Sequence, residues 1–363
     1  MSSLTFVSAA LGQEHSRDTN SQEAKVVVDA TGAVHLPPIV VPFSSFGSPE
    51  AKTDLIEWQK FIEIYTAQAD SNDITKLRRM FAEYLQPAIR RTNTLYPVDS
   101  TPSIIGGVYT DVITPREGIS PKSKNRVLIN LHGGGFLFGA RVVGAMESIP
   151  VSSLGKVKVV TIDYREGPEY KFPAASEDVV AVYRELLKSY KPKDIGIYGC
   201  SAGGLLTAEA VAWIQRAKLP APGAIGIFCA SAGGWSSGDS AYVAPLLTGL
   251  ATSQTTFAPP HPEVSNSPYF ADADLNDPMV SPIRSPSVLS KFPPTLIVTS
   301  TRDVALSSAV YTHTRLTELG VDAELHVWEA MRHGFFTVNP DLPESKEVWR
   351  VVTQFFDHHL GAN

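Results

Sequence analysis

A serine with glycines two places before and two places after it, Gly199-Cys200-Ser201-Ala202-Gly203, closes the apolar run from Ile195 to Tyr198. An Ala/Leu-rich helical pattern starts immediately beyond, from Leu205 to Trp213. Strand, sharp turn and helix in that order put the hydroxyl at an apex, in a strained conformation that the flanking glycines allow by keeping side chains away. At the N-terminus of a helix, backbone amides and the helix dipole favour developing negative charge, so Ser201 is placed to act as a nucleophile. The pentapeptide alone also occurs in ordinary glycine-rich turns; the strand before it and the helix after it make the difference. A second glycine run, His132-Gly133-Gly134-Gly135-Phe136, directly follows the apolar segment Val127 to Leu131. Three glycines can present backbone N–H groups inward, as acyl transfer needs when the former carbonyl oxygen becomes negative. No Walker-type lysine accompanies the run, which argues against a phosphate cradle. Gly133, Gly134 and Ala202 are the expected oxyanion donors, with Phe136 and Cys200 beside them as candidate substrate contacts.

A serine nucleophile needs a base, and the base needs an acid to orient it. In hydrolases with a nucleophile elbow, acid and histidine follow the serine in sequence. Of nine histidines, His333 in Ala330-Met331-Arg332-His333-Gly334-Phe335 lies just beyond the last strand pattern, where loops gather at the carboxyl edge of a parallel sheet. His326 falls within that strand, His313 within a helical pattern, and His358 and His359 at the end of another. Asp303 follows the penultimate strand pattern, Thr295 to Val298, and is the candidate acid. Asp272, Asp274, Asp277 and Glu329 are its competitors, and loop carboxylates of that kind are usually solvated. Cys200 and Cys229 sit at strand ends and read as buried free thiols; no spacing of Cys and His suggests a metal site.

The elements that must hold these groups alternate. Strand patterns at Val127 to Leu131, Val157 to Ile162, Ile195 to Tyr198, Ile225 to Phe228, Thr295 to Val298 and Ala323 to Trp328 are separated by helical patterns at Ala174 to Tyr190, Leu205 to Lys218, Ser307 to Leu319 and Glu344 to His359. Such alternation implies a mostly parallel central sheet with helices on both faces. The sheet is expected to start near Ile104 to Ile113. Before it, Ser48-Pro49-Glu50 caps an amphipathic helix carrying Leu55, Trp58, Phe61 and Ile62, and a second helix starts at Asp73 with Leu77, Phe81 and Leu85. These read as an N-terminal helical cap. Residues 1–24 are expected to be disordered or the remnant of a signal peptide, 25–100 to form hairpin and cap, and 101–363 to form the catalytic domain, with rim loops and a helix over 235–289. Val26 to Val41 suggests a hairpin, although Pro37-Pro38 forbids a central strand there. The apolar, proline-stiffened segment from Val34 to Phe46, with Phe43 and Phe46 as candidate substrate contacts, reads either as packing on the cap helices or as a lid over the serine, from its own subunit or a partner's.

The 363-residue length suits one large domain with a cap, and 43% hydrophobic residues supply a sizeable core. A net charge of -6 argues against a nucleic-acid binder, which would show a basic face. No apolar run approaches the roughly 18 residues of a membrane span. Leu4 to Gly12 looks like the end of a secretory signal but lacks a positive n-region, leaving both a periplasmic or secreted and a cytoplasmic location open.

These motifs together resemble the hormone-sensitive-lipase-like family of α/β-hydrolase esterases. The match rests on His132 to Phe136, Gly199 to Gly203, Asp163-Tyr164-Arg165-Glu166-Gly167-Pro168-Glu169 with Phe172-Pro173-Ala174-Ala175, and the loops of Asp303 and His333. The resemblance spans about residues 100–360 and implies an α/β-hydrolase fold with an N-terminal cap, hydrolysis of short-chain or compact carboxylic esters, and no cofactor. Cys200 departs from it, since many members carry an acidic residue there, as does Glu166, where alanine-like residues are more usual. The loop Thr301 to Ser307 and the proline-rich hairpin look similar to bacterial esterases that de-esterify sulfonylurea herbicides. Amide or lactone hydrolysis on the same triad and a small-molecule receptor are the alternatives; the filled histidine position weighs against the receptor. The expected partner is a small-molecule ester, with a homodimer left open.

Overall fold

The computed structural model describes residues 25–68, 73–233, 237–249 and 267–361. The expectation for residues 1–24, and part of that for 235–289, therefore lie outside the described residues. The chain divides into two compact units at Pro42/Phe43. In the first, β1 (Val27–Val28) and β2 (Val34–His35) pair antiparallel. Asp29 ties their turn by accepting from the Thr31 amide at 2.8 Å and the Ala33 amide at 3.1 Å. Pairing stops at His35, two residues before the Pro37-Pro38 pair that can donate no ladder hydrogen bonds.

The second unit opens with α1 (Pro49–Gln68) and α2 (Ile74–Leu95). Both begin as their caps dictate: the Ser48 hydroxyl accepts from the Ala51 amide, and the Asp73 carboxylate from the amides of Thr75 and Lys76. After them the sheet starts with a hairpin, β3 (Val98–Ile105) and β4 (Val108–Pro115), six residues earlier than Ile104. Gly106 and Gly107, both at positive φ, make the turn that the apolar pattern conceals. The remaining strands are β5 (Val127–Leu131), β6 (Lys158–Ile162), β7 (Ile195–Cys200), β8 (Ala224–Phe228), β9 (Thr295–Arg302) and β10 (Ala323–Arg332). Eight strands form one sheet in the order β10-β9-β8-β7-β5-β6-β4-β3, parallel from β10 to β6 and antiparallel at the β4 and β3 edge.

The crossovers carry α3 (Val143–Gly155), α4 (Ala174–Leu186), α5 (Ala202–Arg216), α6 (Asp239–Thr248), α7 (Pro286–Leu289) and α8 (Leu306–Glu318), and α9 (Phe335–Val338) and α10 (Pro343–His359) follow β10. Every residue of β5, β7 and β8 is buried, because helices cover both faces of the sheet. Sequence periodicity misses α3. Its buried run from Val143 to Ser152 is nearly apolar all round, so no polar face marks a helical period.

Register decides which loops meet. Leu131 of β5 lies opposite Gly199 of β7, so the glycine run after β5 and the elbow after β7 leave the sheet side by side. Arg302 of β9 pairs with Arg332 of β10, which brings the next residue of each, Asp303 and His333, to the same edge. All four segments leave the carboxyl ends of parallel strands, where open α/β sheets place their sites.

Candidate active site

Ser201 sits at φ 59 and ψ -121, a conformation that a residue with a side chain holds only when its surroundings impose it. The surroundings do so. A Cβ on Gly199 would lie 2.1 Å from the Leu131 carbonyl oxygen, and one on Gly203 only 1.7 Å from the same atom. The elbow therefore packs backbone against backbone, and the Ser201 amide donates to the Phe228 carbonyl at 2.8 Å. Its hydroxyl lies 2.9 Å from His333 Nε2, and His333 Nδ1 lies 2.7 Å from Asp303 Oδ1. An ionised carboxylate only accepts, so Nδ1 carries the proton and Nε2 presents its lone pair to the serine.

Asp303 is fully buried. Burial alone would raise its pKa, but the charge and hydrogen bond of His333, the Ala305 amide and the Cys229 thiol outweigh that and hold it below the usual range. The Ala305 amide donates to it at 2.9 Å and the Thr299 hydroxyl at 3.0 Å, which fixes both oxygens. Glu329, the competing carboxylate, is exposed. Cys200 and Cys229 are both buried and free. Cys229, Asp303 and His333 could offer ligand atoms within 4.8 Å of one another, but Nδ1 and Oδ1 already satisfy each other there.

The glycine loop corrects one expected donor. The Gly133 amide donates to Oε1 of Glu147 at 3.0 Å, so it is not available to a substrate. Gly134 and Gly135 line the cavity beside Ser201, and among the described residues no hydrogen bond engages their amides or that of Ala202. Glu147, from α3, went unnoticed in the sequence because the helix itself did. It is buried, its Oε2 accepts from Asn130 Nδ2 at 2.8 Å, and burial pushes its carboxyl up to about 8. Behind the loop, His132 Nδ1 contacts the Gly133 carbonyl at 2.8 Å and the Tyr164 hydroxyl donates to the His132 carbonyl at 2.7 Å. His132 Nε2 and Glu166 Oε1 lie 4.0 Å apart, each buried without a hydrogen-bond partner among the described residues. Burial lowers His132 and raises Glu166 to about 7.

Above Ser201 a cavity of about 320 Å³ opens, walled by Trp58, Phe81, Tyr84, Leu85, Phe138 and Met146. Trp58, Phe81 and Leu85 are among the apolar positions that mark the two N-terminal helices in the sequence. Arg332 also lines it, stacked 4.2 Å from the Trp58 ring and paired with Asp54 at 3.0 Å, so its charge is offset. Cys200 lines the cavity, but Phe136 does not. Phe136 is fully buried in the core and stacks on Tyr269 at 4.8 Å; Phe138, two residues on, faces the cavity instead. Phe43 packs under the Arg302 guanidinium at 5.2 Å, and Phe46 is 86% exposed; neither lines the cavity.

Comparison with known proteins agrees with this architecture. An acetyl-hydrolase of Streptomyces hygroscopicus is 28% identical over 258 residues, covering 70% of this chain and 84% of that protein. An esterase of Acinetobacter venetianus is 24% identical over 287 residues, covering 75% and 87%. Among solved structures, esterase E25 superposes with a TM-score of 0.76 at 28% identity, over 90% of this chain and 98% of its own. An esterase from the bacterial hormone-sensitive lipase family gives 0.70 at 25% identity, over 86% and 99%. The family model described as alpha/beta hydrolase fold matches residues 128–337, more than half of the sequence, and the chain belongs to that family.

Proposed function

We propose that the protein is a serine carboxylesterase that hydrolyses carboxylic esters through an acyl-enzyme. One observation carries the reading: the Ser201 hydroxyl, the His333 imidazole and the Asp303 carboxylate form a single hydrogen-bonded chain, 2.9 and 2.7 Å long at its two links. In this mechanism Ser201 Oγ attacks the ester carbonyl while His333 Nε2 takes its proton. The tetrahedral intermediate collapses, the alcohol leaves with the proton returned by His333, and an acyl-serine remains. Water, deprotonated by the same imidazole, then releases the carboxylic acid. Asp303 holds the tautomer and stabilises the imidazolium. The amides of Gly134, Gly135 and Ala202 take up the negative oxygen. The esterase and acetyl-hydrolase relatives support the reaction class.

The aromatic walls and the paired Arg332 favour uncharged, apolar acyl or aromatic groups. Methyl esters of bulky aromatic compounds, sulfonylurea herbicides among them, are the finer substrate assignment. The test is a fluorophosphonate probe followed by intact mass, alongside a panel of aryl esters of increasing acyl length and of aromatic methyl esters. The expected outcome is one adduct on Ser201, with turnover of neutral esters. An unlabelled serine in folded protein overturns the mechanism. Labelling without turnover of any aromatic methyl ester overturns only the finer substrate assignment.

A further inference from the structure

Glu147 is a buried carboxyl in contact with the glycine loop, and the acyl-transfer steps do not use it. It lies on α3, and its surroundings are specific. Oε1 accepts from the Gly133 amide at 3.0 Å, and Oε2 from Asn130 Nδ2 at 2.8 Å. Asn130 is itself held by the Thr161 hydroxyl at 2.6 Å, and the Tyr198 hydroxyl donates to the Glu147 backbone carbonyl at 3.2 Å. The side chain also borders the cavity that holds Ser201. The Cys200 amide, next to the serine, also lies against this carboxyl.

We propose that Glu147 is the positioning residue of the glycine loop: its carboxyl holds the Gly133 amide, thereby setting the aim of the Gly134 and Gly135 amides, and it must be uncharged while the loop receives a negative oxygen. The inference rests on the serine-esterase reading above. The uncharged acid fits the network. If the Asn130 amide is turned over, its Oδ1 accepts the Glu147 proton and its Nδ2 donates to the Thr161 hydroxyl, while Oε1 still accepts from Gly133. Ionisation would instead set a carboxylate against the loop that must stabilise an oxyanion, two like charges in a site shielded from water.

The ionisable groups around Glu147 are Tyr198 and Cys200 from β7 and Tyr164 after β6, none of them cationic. His132 is turned to its own loop and to Glu166, while His333 and Arg332 share the cavity but are engaged by Asp303 and Asp54. Among the described residues no lysine, arginine or histidine pairs with Glu147. Burial outweighs its three hydrogen-bond donors and holds the carboxyl near 8. The window in which charge appears is therefore mildly alkaline.

The experiment compares kcat and KM against pH for wild type, Glu147→Gln and Glu147→Leu, with Ser201→Ala as control. Gln reproduces the uncharged acid, with Oε1 for Gly133 and its amide N–H for Asn130, whereas Leu leaves the Gly133 amide without a partner. Leu should lower kcat by about 10- to 100-fold with little change in KM, and Gln should restore most of that loss. Wild-type kcat should fall at least about threefold between about pH 7 and about pH 9.5, and the Gln variant should lack this fall. An alkaline fall that survives in Glu147→Gln overturns the inference, as does an unchanged kcat in folded Glu147→Leu. If Leu does not fold, the Gln profile decides. Activity retained in Ser201→Ala would instead defeat the esterase mechanism itself, whatever the Glu147 variants do.

Discussion

Two glycine-rich turns meet at the site and are held in place by different means. The elbow around Ser201 is held by contact: its glycines face backbone atoms of β5 at distances no Cβ could share. The loop after β5 packs on itself, a Cβ on Gly134 falling 1.5 Å from the Phe138 carbonyl oxygen, and hydrogen bonds from elsewhere in the chain tie it to its surroundings. Glu147 of α3 takes the Gly133 amide, Tyr164 caps the His132 carbonyl, and Arg78 of α2 donates to the Leu137 carbonyl at 2.7 Å. At Gly135 a Cβ would meet nothing within 4 Å, so this part of the loop is not packed shut. A turn fixed by sterics carries its instructions in its own residues. A turn fixed by distant side chains does not, and it can be retuned by changing them.

The largest effect should come from the elbow. Ser201→Ala is expected to lower kcat by about 10⁶-fold while leaving the thermal midpoint almost unchanged, since the half-exposed hydroxyl packs against no core. Residual activity within tenfold of wild type, measured on a purified and folded variant, would remove Ser201 from the mechanism. Asp303→Asn should follow with a loss of about 10⁴-fold, because the amide favours the wrong imidazole tautomer. The exposed Glu329, changed to Gln, should leave turnover nearly intact; a reversal of these two effects would reassign the acid.

Stability separates the turns next. Gly203→Ala drives a methyl to 1.7 Å from the Leu131 carbonyl and should cost about 3 kcal/mol or more in urea unfolding, if the variant folds at all. Gly135→Ala has open space and meets only the strain of φ +66, so about 1 kcal/mol is expected. Equal costs at the two glycines would erase the distinction between a packed and a tethered turn.

The same distinction explains what the sequence discloses. Ser201, Asp303 and His333 are legible because each follows a strand whose apolar run is visible, and because strand order and register then bring their loops together. The two N-terminal helices are legible from Ser48, Asp73 and the apolar spacing that includes Trp58, Phe81 and Leu85. Glu147 is not, because α3 is buried nearly all round and shows no period from which to infer a helix. The β3–β4 hairpin is lost for a related reason: apolar residues continue past Gly106-Gly107 and hide the turn. Phe136 illustrates a subtler limit. Adjacency to a motif says nothing about which way a side chain points, and at φ 60 the backbone turns Phe136 into the core while Phe138 faces the cavity.

The way α2 is fastened has a further consequence. Near its start, Arg78 grips the Leu137 and Gly167 carbonyls and both oxygens of Glu169; near its end, Arg91 forks onto Asp341. Between these two rivets lie Phe81, Tyr84 and Leu85, which face the cavity; Leu85 and Phe81 also pack on Val143 and Met146 of α3, whereas Tyr84 is exposed. The helix thus works like a removable die face: its bolts stay put while the shape stamped between them can change. Substitutions at the exposed Tyr84 can redraw the outline of the accepted molecule without disturbing the backbone supports of the chemistry, so new substrate preferences are accessible by single steps at this position.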